Sequence, residues 1–243
     1  MLQRLQQLTT ALGDGHFPVR WMPDANYGYG YPFYNYYAPL SIYVAAVFRL
    51  LGAGYVLAIK GAQLAGFVAA AWGMFALGRR WLGNGWAGLL AAAAYTVAPF
   101  HMVNVYVRGD SLAEFWAMAF YPLLVLGVDR LAAAALGDAY GKRGAIQLGV
   151  ALLALFYAAL ILSHNISALI FTPFLLLYLA YVYLVPDGQG KGEVAADGQA
   201  GGQPNDSGVK KSGHNNWRSR HLLWVGLALL LALVLAAWFW VPA

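Results

Sequence analysis

Residue types able to do chemistry fall in three stretches of this chain, each set against a largely apolar background. In YVRGDSLAE, residues 106–114, Asp110 and Glu114 lie four positions apart, so both carboxylates project from neighbouring turns of one face if a helix opens there. Such a pair can orient or deprotonate a hydroxyl, and it serves equally well as a cap and as partners for the positive end of a helix dipole. Arg108 beside them can hold a phosphate bidentately or neutralise Asp110. The second stretch, GHFPVRWMPDANYGYGYPFYNYY at residues 15–37, holds Arg20, Trp21, Asp24 and a run of tyrosines that includes Tyr29 and Tyr31. Rings at this density stack on sugars or lipid headgroups, or anchor a chain at a membrane interface. The third is His164–Asn165, which breaks an apolar run, with His101 just beyond Pro99. Polar side chains at such depth face a protein interior or an aqueous cavity, which makes them site candidates. Two histidines without matched spacing are a weak metal signal, and the absence of cysteine removes thiolate sites, disulfides and cysteine nucleophiles. No cofactor is specified, and a divalent metal held by carboxylates stays open.

The elements that must position these groups follow from composition. Of 243 residues, 61% are apolar and 10% charged, where a soluble domain would carry about a quarter charged residues. The chain is therefore read as an all-α, polytopic bundle of transmembrane helices in a cell membrane. A hydrocarbon core of about 30 Å needs about 20 residues at about 1.5 Å each. Six stretches meet that length: Tyr55 to Gly78, Gly85 to Val105, Ala113 to Leu131, Ala145 to Leu162, Ile166 to Val185 and Leu222 to Val241. A further apolar stretch, Pro39 to Gly52, would reach only about 21 Å as a helix and carries Arg49. It is expected to be interfacial or re-entrant rather than spanning. The leucines at 2, 5, 8 and 12 recur at helical spacing, as in a helix lying on a membrane surface.

Six spans place most of the 15 basic residues on one side, including Arg79, Arg80, Arg130, Lys142, Arg143, Lys210 and Lys211. The positive-inside rule makes that side cytoplasmic, so the net charge of +5 is a topology signal and not a nucleic-acid footprint. Residues 1–54 then form an outer-face aromatic head with an interfacial helix. Residues 55–185 form a five-span bundle, 186–220 a polar cytoplasmic linker and 221–243 the sixth span. Pro99, Pro122 and Pro173 fall inside spans, where they kink helices or are accommodated by neighbours. Small residues at 62, 66 and 70, and at 88 and 92, line single faces suited to close helix packing. Lys60 alone among Lys, Arg, Asp and Glu is clearly inside a span, Glu114 lying near an end, which ranks a transporter low.

The segments GHFPVRWMPDANYGYGYPFYNYYAPLSIYVAAVFRLLG, VYVRGDSLAEFWAMAFYPLLVLGVDRL, LSHNISALIFTPFLLLYL and AWFWVPA, in that order, resemble the bacterial membrane proteins labelled "6-pyruvoyl-tetrahydropterin synthase-related". The likeness covers nearly the whole chain outside the linker. That label is not chemistry, since a pterin synthase is a soluble zinc enzyme whose ligand set has no counterpart here. The family is in turn similar to the GT-C class of membrane glycosyltransferases, which use polyprenyl-phosphate-linked sugars. The resemblance implies an outer first loop with a membrane-surface helix, and acids in the first and second outer loops. By position Asp110 corresponds to the second-loop acid, while Asp24 or Asp14 stands in for the first. It further implies that Arg108 or Arg20 holds phosphate, that Trp21 and the tyrosines flank sugar, and that the chain is a fragment lacking flanking helices. Membrane lipids and a lipid-linked sugar are the expected partners. The alternative is a non-catalytic protein that binds or translocates lipid-linked glycans.

Overall fold

The computed structural model describes residues 1–108, 111–136, 142–184 and 214–241. Asp110 and the expected linker lie outside the described residues, apart from the start of a final helix at His214. Helices dominate, and the described residues include no β-strand beyond an isolated antiparallel bridge between Met22 and Tyr31. They run α1 (Leu2–Gly13), α2 (Phe33–Tyr36), α3 (Leu40–Leu50), α4 (Tyr55–Leu82), α5 (Gly85–Thr96), α6 (Pro99–Met102), α7 (Leu112–Leu136), α8 (Lys142–Ser163), α9 (Asn165–Leu184) and α10 (His214–Trp240). The helices α4, α7, α8, α9 and α10 are each long and apolar enough to cross a membrane. The sixth expected span is not one straight helix: α5 and the segment Pro99–Val107 meet at a 47° bend, the form of a broken span or of a re-entrant loop, and the pair is called the broken span below. Pro99 sits at the first position of its helix, where its ring and missing N–H are tolerated. The turn that follows α6, Val103–Val107, is π-helical. Pro122 and Pro173, by contrast, are absorbed within continuous helices.

The spans are held by steric fit between small residues and rings. On α4 the buried face runs Ala58, Ala62, Gly66, Ala70 and Gly73, one residue per turn. A Cβ on Gly66 would enter the Phe115 ring of α7, and one on Gly73 would meet Leu123 at 3.0 Å. Gly88 of α5 lies so close to α4 that a Cβ there would stand 2.9 Å from the Phe75 carbonyl oxygen. Backbones this near maximise dispersion contacts, the attraction left between helices when lipid is as apolar as leucine. The α4–α5 turn is closed by Gly83 in the left-handed region, φ 66°, and by Asn84, whose side chain caps α5 through Trp86 N at 2.9 Å. Helix α7 is the most enclosed span, burying Phe115, Leu124, Val128 and Leu131 against its neighbours.

Residues 1–54 fold onto the bundle end formed by the starts of α4 and α7 and the ends of α8 and α10. We call this the head end. The stretch Pro39 to Gly52 becomes α3, of 11 residues, and turns directly into α4 through Gly52–Gly54. At about 16 Å it is too short to span. Arg49, near its end, donates to the Ala53 carbonyl at 2.8 Å and lies over the Tyr55 ring. One departure concerns α1. Its leucine face does not lie on lipid alone: Leu5 and Leu8 are fully buried in the same core cluster as Ile42, Ala45, Ala58 and Phe115. Burying two leucines contributes about 3–6 kcal/mol, so α1 belongs to the protein core.

Candidate functional site

Within the head, a short irregular chain is braced by aromatic rings. Tyr34 is buried, with its hydroxyl donating to the Arg4 carbonyl at 2.6 Å. That burial pushes its phenol pKa well up, so it stays neutral. The Tyr43 hydroxyl accepts from Val19 N at 3.1 Å. Gly30 has φ 80°, and a Cβ there would collide with the Trp21 indole, so glycine both permits the turn and leaves room for the ring. Between α1 and the irregular segment at 18–24 lies a cavity of about 470 Å³ lined by Gln6, Gln7, Thr10, Asp14, His16, Arg20, Trp21 and Asp24. Asp14, His16 and Asp24 are exposed, while Gln7 is buried, its Oε1 accepting from Asp24 N at 3.1 Å and its Nε2 left without a partner. Carboxylates, an amide and an indole ring in one cleft are groups that can grip vicinal hydroxyls and a sugar's apolar face.

Arg20, expected to hold phosphate, lines this cavity and at the same time binds backbone. Its guanidinium donates to the carbonyl oxygens of Trp238 and Phe239, the latter at 2.9 Å, and to Asn35 Oδ1 at 3.4 Å, while lying over the Trp238 ring. These are carbonyls that the end of α10 leaves without helical partners. The side chain is therefore a clamp between head and bundle. Tyr29 and Tyr31 are 84% and 46% exposed, and Trp21 is 50% exposed.

The second group of expected residues meets where the broken span ends and α7 and α9 begin. Arg108 NH1 donates to Glu114 Oε2 at 2.7 Å and to Asn104 Oδ1 at 3.1 Å. Among the described residues, Glu114 is thus the carboxylate that neutralises Arg108, and Nε and NH2 of the guanidinium remain available. His164 caps α9: Ser167 N donates to its Nδ1 at 3.2 Å, and the Ser167 hydroxyl lies 2.7 Å from the same atom. An acceptor Nδ1 fixes the proton of the neutral ring on Nε2. Burial lowers the His164 pKa, with Glu114 pulling it up and Arg108 pushing it down, so the three groups share one electrostatic neighbourhood. Asn165 is exposed and, among the described residues, its side chain accepts from Ile166 N of its own turn. No three His, Asp or Glu side chains converge among the described residues, so those side chains alone do not form a cation site.

Along an exposed side of the head end, α1, α4 and the broken span enclose an open groove of about 730 Å³ lined by Leu2, Gln3, Val56, Ile59, Lys60, Gln63, Val105 and Tyr106. Lys60 has no hydrogen-bond or ion-pair partner among the described residues. The expected residues thus separate into a head cavity with Trp21 and Asp24 and a hairpin cluster with Arg108, Glu114 and His164, both at the head end. Sequence reasoning passed over Gln7, Asn104 and Ser167. Asn104, a polar residue buried at membrane depth, carried a readable signal. Gln7 did not, because its neighbours Gln3 and Gln6 look the same.

A protein of Lactococcus lactis subsp. cremoris (strain MG1363), described as an "Uncharacterized protein", is 26% identical to the chain over 187 residues. The alignment covers 74% of this chain and 28% of that protein, so the chain spans well under a third of its relative's length. No family model matches the chain. No solved structure matches it.

Proposed function

We propose that the chain is the head-bearing part of a GT-C-like membrane glycosyltransferase that transfers sugar from a polyprenyl-phosphate donor at the outer membrane face. The observation that carries this reading is the placement of two groups on one end of the bundle. A cavity suited to polyol hydroxyls stands beside Asp24, and a partly available guanidinium stands at Arg108. The groove with Lys60 supports the same reading, since it offers an isoprenoid chain an apolar wall and a phosphate a cation at the depth where lysine snorkels. In the reaction a carboxylate, Asp24 or Asp110, takes the proton from an acceptor hydroxyl as its oxygen bonds to the sugar's anomeric carbon. The bond from that carbon to the phosphate oxygen breaks, and the departing charge meets Arg108 and Lys60.

The test uses the intact protein that contains this chain, reconstituted with a radiolabelled polyprenyl-phosphate sugar. Asp24→Asn and Asp110→Asn should each be compared with the parent. General-base loss lowers transfer by roughly 10²- to 10⁴-fold, whereas unchanged rates in both variants refute the enzymatic reading. Glycan binding that persists without any transfer in the parent supports the alternative, a binding or translocating protein. The mutual neutralisation of Arg108 and Glu114 favours that alternative to this extent: it ties up a carboxylate that catalysis could otherwise use.

A further inference from the structure

The end of the bundle opposite the head holds a second cavity with no role in the reading above. It measures about 470 Å³ and is lined by Trp72, Phe75, Ala76, Arg79, Arg80 and Arg130. Arg80 is paired with Asp129, whose other oxygen accepts from the Tyr178 hydroxyl at 3.3 Å. Arg79 and Arg130 have no carboxylate partner among the described residues. Two guanidinium groups with no carboxylate partner among the described residues therefore line one cavity from different helices, and α4 and α7 are held together there by the tight packing of Gly73 on Leu123. Like charges lining one cavity repel, and an anion bound among them relieves that repulsion.

The cavity does not end at the arginines. Trp72 also lines an almost wholly apolar groove of about 460 Å³ that continues along the same face of α4 past Val68 and Leu64 to Phe48. Positions 68, 72, 75 and 79 follow one another at helical spacing, so the apolar track leads straight to the basic cavity. From Arg79 to Val68 is about 16 Å along the helix, the depth of one membrane leaflet. An amphiphile with a phosphate at one end and a chain of that length matches both parts.

We propose that this surface is a specific site for an anionic phospholipid. The phosphodiester would be held by Arg79 and Arg130, and one acyl chain would lie along Trp72 and Val68. Guanidinium forks suit phosphate oxygens, and basic pockets between spans take such headgroups. This site does not rest on the sugar-transfer reading.

The full chain, purified in neutral detergent, is incubated with phosphatidylglycerol or phosphatidylcholine micelles and analysed by native mass spectrometry. Phosphatidylglycerol should remain bound and phosphatidylcholine should not. Arg79→Gln with Arg130→Gln should cut retention about tenfold or more. Arg79→Lys with Arg130→Lys preserves charge and topology, and should still weaken retention several-fold because the bidentate fork is lost. Equal retention of both lipids, or full retention by the glutamine double variant, overturns the site. Displacement of phosphatidylglycerol by millimolar inorganic phosphate also overturns it, since the cavity would then take free phosphate.

Discussion

Removing the Arg20 side chain should loosen the head from the bundle by an amount that can be worked out. Its guanidinium satisfies two carbonyls at the end of α10, those of Trp238 and Phe239, and lies 5.8 Å over the Trp238 ring. Hydrogen bonds to charged groups contribute about 1.5–3 kcal/mol each when shielded, and exposed ones less. Arg20 is half-buried and one of the two bonds is exposed, so about 2 kcal/mol is assigned to the pair and about 0.5 kcal/mol to the ring contact. A loss of about 2.5 kcal/mol corresponds to a rise of about 50- to 100-fold in the population of the undocked head. The chain has no cysteine, so a single introduced thiol reports without background. Val19, next to Arg20 in the chain, is buried, and Val19→Cys places a thiol whose maleimide reactivity reports opening of this segment. Adding Arg20→Ala should raise the labelling rate by the stated factor, and Arg20→Lys, which cannot reach both carbonyls as a fork, should fall between. Equal rates with and without Arg20 would refute the clamp.

Three further outcomes follow from the geometry. Gly66→Ala should lower thermal stability in detergent by about 1–3 kcal/mol, because Phe115 is fully buried beside Phe67 and His101 and has little room to yield; an unchanged midpoint would mean α4 and α7 are not packed this closely. Gly30→Ala should cost about 1–3 kcal/mol through a strained φ and displacement of the Trp21 ring, seen as faster limited proteolysis within residues 15–37. The depressed His164 pKa gives a pH dependence: the unfolded imidazole binds a proton more readily, so its contribution is intact above about pH 6.5 and is lost as pH falls toward the folded value. Protonation also removes the acceptor that caps α9 at Ser167 N. The thermal midpoint should therefore drop more steeply with acid in the parent than in His164→Gln, and parallel curves would contradict this role.

Span positions were legible because hydrophobic length is a local property, and they match the helices to within a few residues, except that α10 begins at His214, eight residues before the expected Leu222. Pro99 allowed for a bend but did not distinguish itself from Pro122 and Pro173, which sit in continuous helices, whereas the small residues at 62, 66 and 70 announced the α4 packing face. Docking of the head was not legible. Its clamp joins Arg20 to backbone carbonyls more than two hundred residues away, and a carbonyl acceptor leaves no mark in the amino-acid sequence. The burial of α1 was hidden for a related reason: leucines spaced for a membrane surface are equally spaced for a protein core, and only tertiary context chooses. At the hairpin, helix α7 turns Glu114 back toward the Arg108 guanidinium, a pairing that the six-residue separation did not signal.

The account depends most on the head and the hairpin cluster sharing one aqueous face, opposite the arginine-rich end. Single-cysteine variants Asn26→Cys and Ser111→Cys in intact cells, challenged with a membrane-impermeant maleimide, measure this directly. Labelling of both from outside, with Arg79→Cys protected until the membrane is permeabilised, is the predicted result. Labelling of one position and protection of the other would contradict it and would separate the cavity at Asp24 from Arg108.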